Sequence, residues 1–214
     1  MDLAPKPRTY RLKPAPKILA ERPEAAQLRV TQLESLPSEG TWIIDLSSID
    51  LMSLSAADEL IAAWLLHKRA SRREQGFVVA LYSPSAIVHE TLHAALRDRQ
   101  LAAYGLTKLE GWSAGDVQTI GDVTTMNDRT LAAVHSFSAG AASAAQVAKK
   151  MGDTSIGAAT NRLNELLSKG LIHKSDHRVA SAGGRPSTRF VHPLGPSATS
   201  EVPALGRRRI AATA

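Results

Sequence analysis

Two stretches of the 214-residue chain carry residue types at spacings that could do chemistry. The first is His89-Glu90-Thr91-Leu92-His93, an H-E-x-x-H pattern. On a helix the two imidazoles share a face and can bind one zinc ion, with Glu90 as general base toward a metal-bound water. The second begins at Ser155 and runs through Gly157, Ala158, Thr160, Asn161 and Arg162 to Asn164. Small residues let a helix backbone sit close to base edges; Asn161 can pair bidentately with adenine, and Thr160 can bond a base or touch a thymine methyl. Further on, Gly183-Gly184-Arg185-Pro186 offers an arginine on a glycine-rich tip, suited to a narrow minor groove where negative potential concentrates. Lys149, Lys150, Lys169, Lys174 and Arg189 suit phosphates, which position a protein without reading sequence.

The elements that must carry these residues decide between the readings. Val88, Leu92, Ala95 and Leu96 recur at helical period and predict a buried stripe. His89, His93 and Arg97 then fall on a polar outer face, with Glu90 at its edge. A zinc peptidase would place this helix under a cleft and needs a third ligand. Glu110 lies downstream without a surrounding His or Glu motif, and Thr91 and Ala94 give no glycine-containing extension. The preferred reading is a solvated helix face, with no catalytic residue, metal or cofactor. Zinc held by His89 and His93 is the alternative. No phosphate-binding loop, dinucleotide fingerprint or nucleophile elbow is present.

The second stretch has a clearer frame. Ser143 can cap a helix to Met151, Gly152-Asp153-Thr154 is a turn, and Ser155 caps a second helix. Ile156, Ala159, Leu163, Leu166 and Leu167 form its apolar stripe, and Gly170 stops it. Leu171 to Lys174 reads as a strand and Thr188 to His192 as its return partner. Asn127 or Asp128 caps an earlier helix through Leu131, Val134 and Phe137, and residues 138–142 form a loop. The order of helix, turn, helix, glycine stop, strand, basic tip and strand resembles a winged helix-turn-helix. That resemblance implies double-stranded DNA as the partner.

Charge distribution agrees. The net charge is +6, but residues 1–124 hold 14 Lys/Arg against 15 Asp/Glu, whereas residues 125–214 hold 12 against 5. The basic excess lies on the half with the DNA-binding pattern, although Arg207-Arg208-Arg209 supplies part of it. Absence of cysteine excludes disulfides and thiolate metal sites and fits a reducing compartment, so a cytoplasmic location is expected. The first residues carry no apolar signal region, and no apolar run is long enough to span a membrane.

The N-terminal half alternates strands and helices. Thr9 to Leu12 can add a strand, which Pro14 and Pro16 restrict to an edge. A helix is predicted from Pro23 to about Leu36. Residues 41–46 and 76–82 read as strands buried on both faces. A long turn over residues 47–55 and a helix from Ala56 separate them. Lys68 and Arg69 lie near the end of that helix, where cations suit the dipole. Ser83-Pro84-Ser85 opens the helix with the two histidines, and Tyr104 to Leu109 can be a last strand. Right-handed crossovers in a largely parallel sheet follow.

Ile43-Ile44-Asp45-Leu46-Ser47-Ser48-Ile49-Asp50, then Met52 to Leu60, and later Tyr82 to Val88, resemble the centre of a STAS-like domain, the fold of anti-sigma-factor antagonists. In that family a serine in an Asp-Ser-Ser/Thr-Gly turn is phosphorylated. Here Ser53 stands at the Asp position and Leu54 at the acceptor position, so Ser53 and Ser55 are read as turn or helix-cap residues.

The expected fold class is therefore an α/β, STAS-like N-terminal domain with a mixed or parallel sheet, joined to an α+β winged helix-turn-helix. The expected boundaries are a basic Pro-rich segment over 1–19, the α/β domain over 20–112, a linker over 113–125, the winged helix over 126–193 and a disordered tail over 194–214. The expected function is sequence-specific DNA binding by a homodimeric transcription regulator, not an enzyme. Its N-terminal domain dimerises it or meets a protein partner. A zinc-peptidase-like regulator and a non-DNA-binding adaptor are the alternatives.

Overall fold

The computed structural model describes residues 7–71, 77–110, 114–137, 141–152, 155–180 and 186–194. It is an α/β protein whose five-stranded sheet is mixed. The sheet has the order β1 (Arg8–Arg11), β3 (Gly40–Asp45), β5 (Phe77–Tyr82), β6 (Ala102–Leu106), β7 (Val117–Gly121). The first four strands are parallel and β7 is antiparallel to β6. A short parallel pair, β2 (Ile18–Leu19) and β4 (Leu51–Met52), stands apart from it. Among the described residues no helix is long and apolar enough to cross a membrane.

Side-chain alternation sends successive residues of each strand to opposite faces. Trp42, Ile44, Phe77, Val79, Leu81 and Ala103 face one core. That core is covered by α1 (Arg22–Leu28), α2 (Leu54–Ala57), α3 (Ala63–Ser71) and α4 (Ala86–Asp98). Helix α1 continues as a π-helical turn over Arg29–Leu33, and a second π-helical turn, Asp58–Ala62, joins α2 to α3. Parallel neighbours joined by right-handed crossovers place these helices on one side of the sheet.

Ile43, Val78, Ala80, Ala102, Tyr104 and Leu106 face the other way, into a second core. Its other wall is the C-terminal half: α5 (Thr125–His135), β8 (Ala141–Ser143), α6 (Ala144–Met151), α7 (Ile156–Ser168), β9 (His173–Ala180) and β10 (Pro186–Val191). The last three strands form an antiparallel sheet in the order β8-β10-β9. The two halves of the chain therefore share a core.

Several sequence expectations change. Residues 113–125, expected as a linker, contain a 3-10 turn (Ala114–Asp116) and all of β7. That strand lies at the sheet edge and is only half covered, so it lacks the continuous apolar run of its neighbours. Residues 138–142, expected as a loop, include the start of β8. The long turn over 47–55 contains β4, and the following helix begins at Leu54, capped by Ser53 Oγ accepting from Ala56 N at 3.1 Å. Leu194, expected in a disordered tail, is buried in the second core, while residues 195–214 lie outside the described residues.

Lys68 and Arg69 do more than answer their own helix dipole. Lys68 Nζ donates to the carbonyls of Glu34 and Leu36, each at 2.6 Å, and so satisfies the end of the preceding helix. Arg69 Nη2 donates to Ala102 O at 2.6 Å, and burial lowers its pKa to about 10, which leaves it charged at neutral pH. Gly170, after α7, sits against it: a Cβ there would lie 2.6 Å from both Arg69 Nη2 and Phe77 O. Gly152, after α6, has a similar positive φ but open space around it.

The two glycines separate backbone strain from tertiary contact. Gly152→Ala should lose only about 1–2 kcal/mol for a left-handed residue bearing Cβ. Gly170→Ala should lose clearly more, because the added carbon meets a carbonyl and a buried guanidinium. Urea denaturation of both variants measures the difference, and equal losses would mean that Gly170 is not packed as described.

Candidate nucleic-acid interface

The residues singled out for base contact lie on α7. Ser155 caps the helix, its Oγ accepting from Ala158 N at 3.2 Å, as its type and position predict. Ala159, Leu163, Leu166 and Leu167 are buried. Ser155, Gly157, Asn161 and Asn164 are exposed, and Ala158, Thr160 and Arg162 are half-exposed. Ile156 is 59% exposed and does not join the buried stripe, which starts at Ala159. Thr160 Oγ1 donates back to Ile156 O at 2.8 Å. Its hydroxyl proton is thus committed within the helix, leaving an acceptor oxygen and a methyl group to face a ligand.

The preceding helix is held at its N-terminus by a capping box. Ser143 Oγ accepts from Gln146 N, and the Gln146 side chain accepts in return from Ser143 N at 2.8 Å. Lys149 and Lys150 are exposed in its last turn, shortly before the start of α7. The positive end of the α7 dipole and two ammonium groups are therefore close in the chain. Lys174 is exposed on β9, and Arg189 is half-exposed on β10 in register with Ser143 and Ser175.

Two of the basic residues stand differently. Lys169, expected on a phosphate, is turned inward: its Nζ donates to Asp122 O and Asp122 Oδ2, both at 2.7 Å, and its side chain is only 15% exposed. Sequence could not show this, because the partner is 47 residues away at the end of a strand read as linker. Arg185 lies outside the described residues.

The face that carries the histidine pair is solvated only in part: Glu90, His93 and Arg97 are exposed, as expected, but His89 is not. His89 is buried, and its Nε2 lies 3.0 Å from Ser83 O and 3.1 Å from Leu106 O. Both partners are carbonyls, so Nε2 carries the proton and donates. The ring rests on Gly105, where a Cβ would come within 3.1 Å of it. His93 Nδ1 accepts from Gly121 N at 3.0 Å, and burial followed by the charge of Arg97 lowers its pKa. His89 Nε2 and His93 Nδ1 thus bond to the backbone of β6 and β7, against which α4 packs, whereas His89 Nδ1 is buried without a partner. Missing β7 in the sequence hid the Gly121 partner of His93. No group of three or more His, Cys, Asp or Glu side chains able to hold a metal occurs among the described residues.

A polar seam between the halves had no sequence signal. Tyr104 Oη donates to Leu171 O at 2.6 Å and lies 3.3 Å from His192 Nε2. His192 Nδ1 is within reach of Leu194 N at 3.4 Å, so Nε2 is the protonated nitrogen and donates to Tyr104. The rings of His192 and His135 lie 4.6 Å apart, and Thr41 Oγ1 meets His173 Nε2 at 2.7 Å. Burial, then the neighbouring His135 and His173, lowers the His192 pKa to about 3. Each of these residues is ordinary in its own segment, and only the fold brings them together.

This seam makes stability depend on acid. The unfolded His192 protonates near pH 6.5, whereas the folded one stays neutral to about pH 3. The seam's contribution is complete above pH 6.5 and is lost as pH falls, by up to about 1.4 kcal/mol per pH unit. Urea midpoints measured from pH 7.5 to 5.5 should decline in the wild type. His192→Gln should flatten that slope, leaving the smaller same-direction effect of His93. No protein-family model matches the chain, and neither a curated protein nor a solved structure matches it.

Proposed function

We propose that the chain binds double-stranded DNA in a sequence-dependent way, as a cytoplasmic transcription regulator, with α7 as the reading element. One observation carries the reading. The order α5, β8, α6, α7, β9, β10, with β10 between β8 and β9, resembles a winged helix-turn-helix and leaves the polar face of α7 exposed. On that face Asn161 supplies bidentate adenine recognition, and Thr160 supplies a methyl and an acceptor. Lys149, Lys150, Lys174 and Arg189 neutralise phosphates and set orientation. The small Gly157 and Ala158 let the first turn approach the groove floor.

The α/β half serves in this reading as a STAS-like interaction unit fixed to the reading head. It is not a tethered bead, since the second core and the Lys169–Asp122 pair run across the join. Ser53 and Ser55 act there as cap and turn residues: Ser53 Oγ donates to Ala20 O at 2.6 Å and lies 3.1 Å from Ser55 Oγ.

Fluorescence anisotropy over a salt series tests the proposal, with genomic fragments that include the protein's own upstream region. Binding should strengthen as salt falls. Asn161→Ala should lose about 1–3 kcal/mol of discrimination between preferred and random duplex. Lys149→Ala and Lys150→Ala should each reduce the salt slope by about 1. Lys169→Ala should leave the slope unchanged while lowering stability, since its ammonium is paired to Asp122. Weak binding with no sequence preference, indifferent to Asn161→Ala, would remove DNA reading by α7.

A further inference from the structure

We propose that an aliphatic patch at the carboxyl end of the parallel strands, on the helix-covered side, is a self-association surface that pairs two copies of this chain. Its residues are Ile18, Leu51, Leu54 and Ile87, exposed to 60%, 41%, 48% and 55%. Ile18 and Leu51 are register partners in β2 and β4. Their neighbours Leu19 and Met52 are buried, so strand alternation sends Ile18 and Leu51 outward together. Ser85 Oγ donates to Asp50 O at 3.0 Å, which ties the start of α4 to β4 and brings Ile87 to the same rim. Leu54 opens α2 just after β4. Single exposed aliphatics are normal on a protein surface, but a contiguous group of them marks a contact site.

The rim identifies the occupant. Lys17 precedes Ile18, Asp50 precedes Leu51, and Glu90 follows Ile87 on α4; all three are exposed. Across a two-fold axis the patch faces itself, so Lys17 of each copy can meet Asp50 or Glu90 of the other, twice over. Beside Leu54, Arg22 and Arg99 are paired with Asp58, so the rim carries both signs and is not the ring of free cations that an anionic lipid surface would need. The apolar area is on the order of a few hundred Å², below the roughly 800 Å² per partner of a standard stable complex. The pairing is therefore weak in free solution. Two copies held on one duplex gain effective concentration, and there the contact becomes cooperative. That last step rests on the DNA reading; the pairing does not.

The chain contains no cysteine, so single introduced thiols report proximity cleanly. Under mild oxidation at tens of micromolar protein, Leu51→Cys and Ile87→Cys should form disulfide-linked dimers. Ile156→Cys, equally exposed but on α7, should not. Sedimentation equilibrium should show concentration-dependent dimerisation of the wild type, weakened at least about tenfold by Leu51→Asp with an unchanged thermal melt. A wild type that stays monomeric at all concentrations would overturn the proposal. So would a dimer that survives both Leu51→Asp and Ile87→Asp, because the copies would then meet elsewhere. On DNA, Leu51→Asp should keep affinity for a single half-site and lose cooperativity on paired half-sites. Absence of DNA binding by the wild type, with dimerisation intact, would refute the DNA reading and leave the pairing standing.

Discussion

A parallel sheet cannot leave one face in water when its strands are apolar on both sides. Ile43, Val78 and Ala80 point away from the helices that cover Ile44, Val79 and Leu81, and their burial requires a second cover. The C-terminal half supplies it. Leu131, Val134, Leu163, Leu166 and Ile172 close over that face, so the element that presents the candidate DNA-reading surface is also a wall of the α/β core. Its orientation relative to the sheet is fixed by packing rather than by the length of a connector.

Polar ties give this packing a single register. Hydrophobic burial is non-directional and would tolerate a slide of one layer over the other. Tyr104 bonded to Leu171, Thr41 to His173, Lys169 to Asp122, and Arg69 against Gly170 would each be broken by such a slide. Several of these groups are buried, and a buried donor or acceptor that loses its partner costs about 1–3 kcal/mol. The pairing surface proposed around Leu51 lies on the opposite layer from α7. A dimer formed there would leave both reading helices uncovered.

Local signals in the sequence were legible where the determinant is local. The caps Ser53, Ser85, Ser143 and Ser155 stand where side-chain chemistry places them, although the first of these starts its helix two residues before the apolar pattern does. Strands β3 and β5 were readable from continuous apolar runs, and β1 as an edge from its neighbouring prolines. Strand β7 was not, because an edge strand covered on one side carries only a weak pattern. That single omission propagated. It turned a strand into a linker, left Lys169 without Asp122, and hid the backbone partner of His93.

The sequence by itself determined most of the helices, the caps of α6 and α7 and the residue chemistry of α7, because capping, periodicity and side-chain identity act over a few residues; it missed β4, β7 and β8 and put the α5 cap at Asn127 or Asp128 where Thr124 stands. It also determined that two strands must be covered on both faces, since their composition is apolar throughout. Which segment covers the second face was decided only by the tertiary structure. So were the loss of Lys169 from the charged surface, the burial of His89 and His192, and the exposure of Ile156 and of the Ile18–Leu51 pair. Each of these depends on groups distant in the chain meeting in space, and neither residue type nor spacing encodes which distant group arrives.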